Sequence, residues 1–136
     1  MSDYKYSKRS AKVLATTTVT MQTIANLALK RSPIDFGIWD TGGRRSPSEQ
    51  NALYIDGKSK CDGYKKLSNH QTGDALDIYA YLNGAVSQNY THLAIIAGVF
   101  YAVADELGVV IRWGGTFGSK EFTGWDPGHF EIIKQV

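Results

Sequence analysis

Cysteine is nearly absent from this chain. Cys61 stands alone, which excludes an internal disulfide and a thiolate zinc cluster and fits synthesis in a reducing cytoplasm. Charge of one sign is equally scarce. With 15 Lys and Arg against 13 Asp and Glu, the net +2 is too small to mark a nucleic-acid binder, and none is expected as a partner. No apolar run is long enough to cross a membrane. The longest, Leu93 to Ala104, is about half of the ~20 residues a spanning helix needs and reads as a buried helix, so stable membrane insertion is not expected. The first residues, "MSDYKYSKRSAKVL", lack the continuous apolar core of a secretory signal, so no export by that route is expected.

What remains suits one globular unit. A chain of 136 residues, 43% hydrophobic, can bury about two-thirds of its unfolded surface, so residues 1–136 are expected to form a single domain. Two stretches are locally basic: Lys5, Lys8, Arg9 and Lys12, and then Lys58, Lys60, Lys65 and Lys66. Each reads either as a solubilising face or as a steering patch for an anionic polymer.

The apolar spacing from Val19 predicts a helix ending at Ser32-Pro33, with Ile24, Leu27 and Ala28 inward. A strand is expected at "FGIW". After the glycine turn of "TGGRRSPSEQ", Ser46 caps a helix with Pro47 at its first position and Glu49 at its third, running to about Ile55. Residues 56–69, rich in Lys, Gly and Ser, read as a mobile surface loop. From Thr91 to Leu107 a helix buries Leu93, Ile96, Ala97, Phe100, Ala104 and Leu107, and Gly108 stops it. Helices mixed with short strands in this order predict an α+β domain with a small, mostly antiparallel sheet.

Two strands carry the functional argument. Along "DALDIYAY", alternation puts Leu76, Ile78 and Ala80 on one face and Ala75, Asp77 and Tyr79 on the other. Along "HFEIIK" it puts Phe130 and Ile132 inward, with His129 and Glu131 opposite. If these strands are neighbours, Asp77 and His129 face one cleft. Together with His70 they form a two-nitrogen, one-oxygen set that suits a single catalytic zinc with its fourth position open, which would acidify water and polarise a carbonyl. Asp126, three residues before His129 across a Pro-Gly turn, could act as general base and then return the proton to the leaving amine. Each residue alone has an ordinary reading: His70 as a surface loop residue, His129 as a satisfied strand histidine, Asp126 as a turn cap. Asp77 is odder, because aspartate is depleted in strands and its neighbours look buried.

These motifs resemble a known family. "SNHQTGDALDI" is similar to the S-x-H-x-x-G-x-A-x-D signature of zinc peptidases that include the D-alanyl-D-alanine dipeptidases and carboxypeptidases. "GWDPGHFEI" is similar to their closing acid-x-x-His motif. The resemblance is strongest to phage endolysins that act as L-alanyl-D-glutamate peptidases, and it runs from about Tyr6 to Ile133 through "SPIDFGI", "GGRRSPSEQ" and "RWGGTF".

The resemblance implies zinc ligands at His70, Asp77 and His129, the catalytic acid at Asp126, and an arginine that stabilises the developing oxyanion. That arginine is Arg45 in the preferred register and Arg44 in the other. Ser68 and Gly73 would shape the loop that presents His70, and Trp113 and Trp125 would either wall the cleft or belong to the core. The chain departs from many relatives at Thr116 and Phe117, where an acid and a tryptophan are usual. Asp74 and Glu131 are expected to be solvent-facing, and His92 is assigned no chemistry. A cysteine-histidine amidase built on Cys61 would leave Asp77 and Asp126 unexplained.

The implied function is a phage endolysin: a monomeric zinc peptidase that cuts the L-alanyl-D-glutamate bond of peptidoglycan stem peptides, with no separate wall-binding domain. It would accumulate in the host cytoplasm and reach the wall through a separate membrane lesion. A D-alanyl-D-alanine peptidase with the same zinc site is the alternative.

Overall fold

The computed structural model describes residues 2–118 and 124–135. Four helices surround a sheet of five strands joined only by antiparallel pairing. Helices α1 (Lys8–Leu14) and α2 (Val19–Arg31) lead into β1 (Asp35–Ile38), and α3 (Pro47–Ile55) follows. A 3-10 turn, Asn69–Thr72, precedes β2 (Ala75–Leu82), β3 (Ala85–Ser87), α4 (Tyr90–Glu106) and β4 (Val109–Trp113), and a second, Gly114–Thr116, precedes β5 (His129–Gln135). The sheet order is β1-β2-β5-β4, with β3 paired to the end of β2.

Local chemistry explains the helix starts. Thr18 accepts a hydrogen bond from the Met21 N–H at the start of α2. At α3, Ser46 and Glu49 make the reciprocal capping box expected from the sequence, with Pro47 behind it. Gly108 follows α4 in the left-handed region (φ 69°), which a side chain would disfavour. Leu107 departs from its expected place. It lies past the last helical turn, where the chain leaves the core, and is 42% exposed. Leu27 is only half-buried, while Met21, Ala25 and Leu29 share the inward face of α2 with Ile24 and Ala28.

The core fills one side of the sheet. Leu76, Ile78 and Ala80 from β2 meet Phe130 from β5 and the apolar stripe Leu93, Ile96, Phe100 and Val103 of α4. Phe100 and Phe130 stack with ring centroids 4.1 Å apart. Alternation then presents Asp77, His129 and Glu131 on the opposite face. The pairing of β2 with β5 sets Asp77 beside His129 and Ala75 beside Glu131, and β4 sets Arg112 beside Glu131.

The surface loop expected over residues 56–69 lies between α3 and the 3-10 turn that starts at Asn69, and it is held at several points. Asp62 Oδ1 accepts the backbone N–H groups of Tyr64, Lys65 and Lys66. The buried Gln50 of α3 donates to Ser59 Oγ and the Cys61 carbonyl, and Asn51 donates to the Asp62 carbonyl.

Candidate metal centre and active site

His70 rides on the 3-10 turn Asn69–Thr72. Ser68 caps the turn, Gln71 returns the capping bond, and Gly73 closes it in a left-handed conformation (φ 80°). Two backbone bonds hold Asp77 from the other side: its N–H donates to the Gly42 carbonyl, and its own carbonyl accepts the Trp39 N–H. An added Cβ at Gly42 would lie 2.5 Å from that Asp77 carbonyl, so the close approach requires glycine.

The two imidazoles are oriented from behind. His70 Nδ1 lies 2.9 Å from the Gly43 carbonyl, which can only accept, so Nδ1 carries the proton and Nε2 faces Asp77 Oδ2 at 3.2 Å. His129 is turned the other way round. Its Nε2 donates to Glu131 Oε1 at 2.7 Å, and its Nδ1 faces Asp77 Oδ1 at 2.9 Å. One nitrogen of each ring therefore converges with the Asp77 carboxylate, the three ligand atoms lying within 4.8 Å of one another. Both histidines are buried, and the remaining nitrogen of each already has a partner. This donor set fits a single divalent metal such as zinc, whose imidazole and carboxylate ligands sit about 2.0–2.2 Å from the ion.

Electrostatics follow from this packing. Burial alone would raise the pKa of Asp77, but the two imidazoles outweigh it and hold the carboxyl well below the usual range. Burial alone would lower His129, yet its hydrogen bonds to Asp77 and Glu131 push it up to about 9. Asp126 moves upward: burial raises it, as does the charge of Asp77, and His129, His70 and Arg45 only partly offset them. Its carboxylate, 39% exposed, stands 4.0 Å from His129 Nδ1 on the open side of the centre.

Of the two adjacent arginines, Arg45 is the one that reaches the centre. Its guanidinium donates to Asp77 Oδ2 at 2.8 Å, to the Thr41 carbonyl and to Gln50 Oε1. Arg44 turns away, with its Nε on the Thr16 carbonyl. Ser68 and Trp125 line the cleft, Trp125 being 68% exposed. Trp113 does not line it. That indole is 5% exposed, donates to the Pro127 carbonyl and packs on Tyr90, so it belongs to the core.

Glu131 overturns the expectation of a surface charge. It is 5% exposed, accepts His129 Nε2–H on one oxygen and Arg112 on the other, and so stands directly behind a ligand. Its position two residues after His129 on the same strand face was the available signal. Asp74 is half-buried rather than open to solvent, and it accepts from Thr72 without touching His70. His92 bonds Ser87 outside the cleft. Cys61 does line the cleft, with its backbone held by Ser59 and Gln50.

An α+β sheet carrying a His-Asp-His set that could hold a metal ion, with an acid and an arginine beside it, is consistent with a metallohydrolase. Comparison with known proteins narrows this. The model of the phage L-alanyl-D-glutamate peptidase family matches residues 1–133, and the chain belongs to that family. It is similar to the L-alanyl-D-glutamate peptidase of Escherichia phage T5, 32% identical over 96% of this chain and 98% of that one. Among solved structures it is similar to the Serratia marcescens L-Ala D-Glu endopeptidase ChiX, with a TM-score of 0.79, 27% identity, and coverage of 96% of this chain and 91% of that one. The chain is a peptidase of this phage family.

Proposed function

We propose that residues 1–136 act as a single, monomeric catalytic domain, a zinc-dependent endolysin that hydrolyses the L-alanyl-D-glutamate bond of peptidoglycan stem peptides. The observation that carries the reading is the convergence of His70 Nε2, His129 Nδ1 and the Asp77 carboxylate, with Asp126 and Arg45 at the same centre. When bound there, zinc supplies Lewis-acid chemistry, acidifying water and polarising a carbonyl.

The protein's own groups supply the rest. Asp126, on the open side of the centre 4.0 Å from His129 Nδ1, takes a proton from the water that attacks the alanyl carbonyl. As the C–N bond breaks, the same carboxyl gives the proton to the leaving amine of glutamate. Arg45, fixed by Thr41 and Gln50, places a charged donor at the centre where the oxyanion develops. The likeness to the T5 and Serratia enzymes supports the choice of bond.

No helix among the described residues is long and apolar enough to cross a membrane. This is compatible with accumulation in the host cytoplasm and passage to the wall through a lesion made by another protein.

The test is to incubate the purified protein, its zinc content measured, with Gram-negative peptidoglycan and to identify the new amino termini. D-glutamate termini that vanish with a chelator and return with zinc are expected. Release of D-alanine would move the specificity to a D-alanyl-D-alanine peptidase, and chelator-insensitive cleavage would overturn the metal reading.

A further inference from the structure

The centre divides two unequal chambers. The larger, about 800 Å³, is lined by residues 57–61 and 66–68 on one side and by Arg112, Phe117 and Trp125 on the other. The smaller, about 180 Å³, lies beyond Asp77 and Asp126 and is lined by Trp39, Ile78, Leu93 and Pro127. Trp125, Asp77 and Asp126 border both.

Charge is distributed unevenly between them. Among the described residues, five Lys and Arg side chains line the large chamber and none lines the small one. Three of the five are already engaged: Arg45 on Asp77, Arg112 on Glu131, and Lys58 3.4 Å from Asp56. Lys60 and Lys66 have no carboxylate partner among the described residues. The Lys60 ammonium lies 5.9 Å from the centre of the Trp125 ring, reaching toward the border between the chambers.

These lysines stand on a braced wall. Asp62 gathers three successive backbone N–H groups, Gln71 donates to the Gly63 carbonyl, and Gln50 holds Ser59 and Cys61 while its amide oxygen accepts from Arg45. One buried glutamine thus ties the lysine wall to the arginine at the centre.

The substrate has a matching asymmetry. Glutamate has two carboxyl groups, and continuing the chain consumes only one, so a free carboxylate remains on the amine side of an alanyl-glutamate bond. The alanine side carries a methyl group and no charge. We infer that Lys60 and Lys66 bind this carboxylate, so that the stem peptide crosses the centre with glutamate in the large chamber and alanine in the small one beside Trp39. The inference rests on the proposed bond specificity. It adds an orientation, two specificity-determining residues, and a role for the second basic stretch of the sequence beyond solubility.

The experiment compares two stem peptides with the zinc-loaded full chain, one with the free glutamate carboxylate and one with it converted to the neutral amide. The wild type is expected to prefer the carboxylate peptide. Lys60→Ala with Lys66→Ala should lower kcat/KM on that peptide by roughly fivefold, mainly through KM, as expected for exposed charge pairs. The preference for carboxylate over amide should collapse toward one, and Lys60→Arg with Lys66→Arg should restore it. Both lysines are exposed, so folding is not at stake. Equal losses on the two peptides, or an unchanged preference, would overturn the orientation. Failure of the wild type to cut either peptide would instead overturn the bond specificity, and the orientation with it.

Discussion

At the centre, each side chain has a separable duty. Asp126 touches neither Asp77 nor a ring nitrogen at bonding distance, so Asp126→Asn is expected to keep full zinc content while losing at least about a hundredfold in rate. Metal analysis beside a hydrolysis assay checks this, and a variant with most of its rate would remove Asp126 from the base role. Glu131 acts behind the centre. It holds Nε2–H of His129 so that Nδ1 faces the metal position, and Glu131→Ala is expected to weaken zinc binding about 10- to 100-fold, as loss of such a partner does elsewhere. Competition with a chelating dye measures it, and Glu131→Gln, which can still accept the bond, should recover part of the affinity. Sequence placed Glu131 on the correct strand face but not under cover. It is held there by His129 and by Arg112 of β4, whose guanidinium also lies over the Phe117 ring, contacts that no local pattern encodes.

Elements were legible where their signals are local. The capping box of α3 and the apolar periodicity of α2 and α4 act over a few residues, and those helices lie within a residue or two of where the sequence puts them. Asn83-Gly84 carries an equally local signal, both residues at positive φ between β2 and β3, yet the strand it makes is three residues long and easily passed over. Gly73 joins this scale to the site. It ends the turn that carries His70 at φ 80°, and an added Cβ would meet the Arg44 guanidinium at 2.6 Å. Gly73→Ala is therefore expected to cost about 1–2 kcal/mol, lowering the melting temperature by several degrees and weakening zinc binding as His70 shifts. Calorimetry with and without metal reads both effects; an unchanged melting curve would show that the turn can adopt another conformation freely.

For the whole molecule, metal and proton compete for one site. His129 has a folded pKa raised to about 9, so without metal its imidazolium pairing with Asp77 and Glu131 stabilises the fold fully below the unfolded value near 6.5. That contribution is lost as pH rises through about 9. A bound metal needs the neutral ring, so its affinity rises over the same range. The melting temperature of the metal-free protein should fall between pH 6.5 and 9, while the gain on adding zinc should grow. Parallel melting curves at several pH values test this, and a zinc gain that shrinks with rising pH would contradict the assignment of His129.

The sequence by itself determined the pieces: which stretches form helices, which strand face carries Asp77 and which carries His129, and a donor set suited to zinc. These follow from capping, from periods of 3.6 and 2, and from the chemistry of imidazole and carboxylate. Only the tertiary structure decided how the pieces meet. Asp77 and His129 are 52 residues apart, and their pairing depends on the packing of α4 and Phe130 beneath the sheet. The approach of Arg45 to Asp77 while Arg44 turns to Thr16, the withdrawal of Trp113 into the core and the gathering of lysines on one side of the centre likewise rest on contacts distant in sequence. Such contacts are fixed by the best packing and hydrogen bonding of the whole chain, a sum that no short window contains.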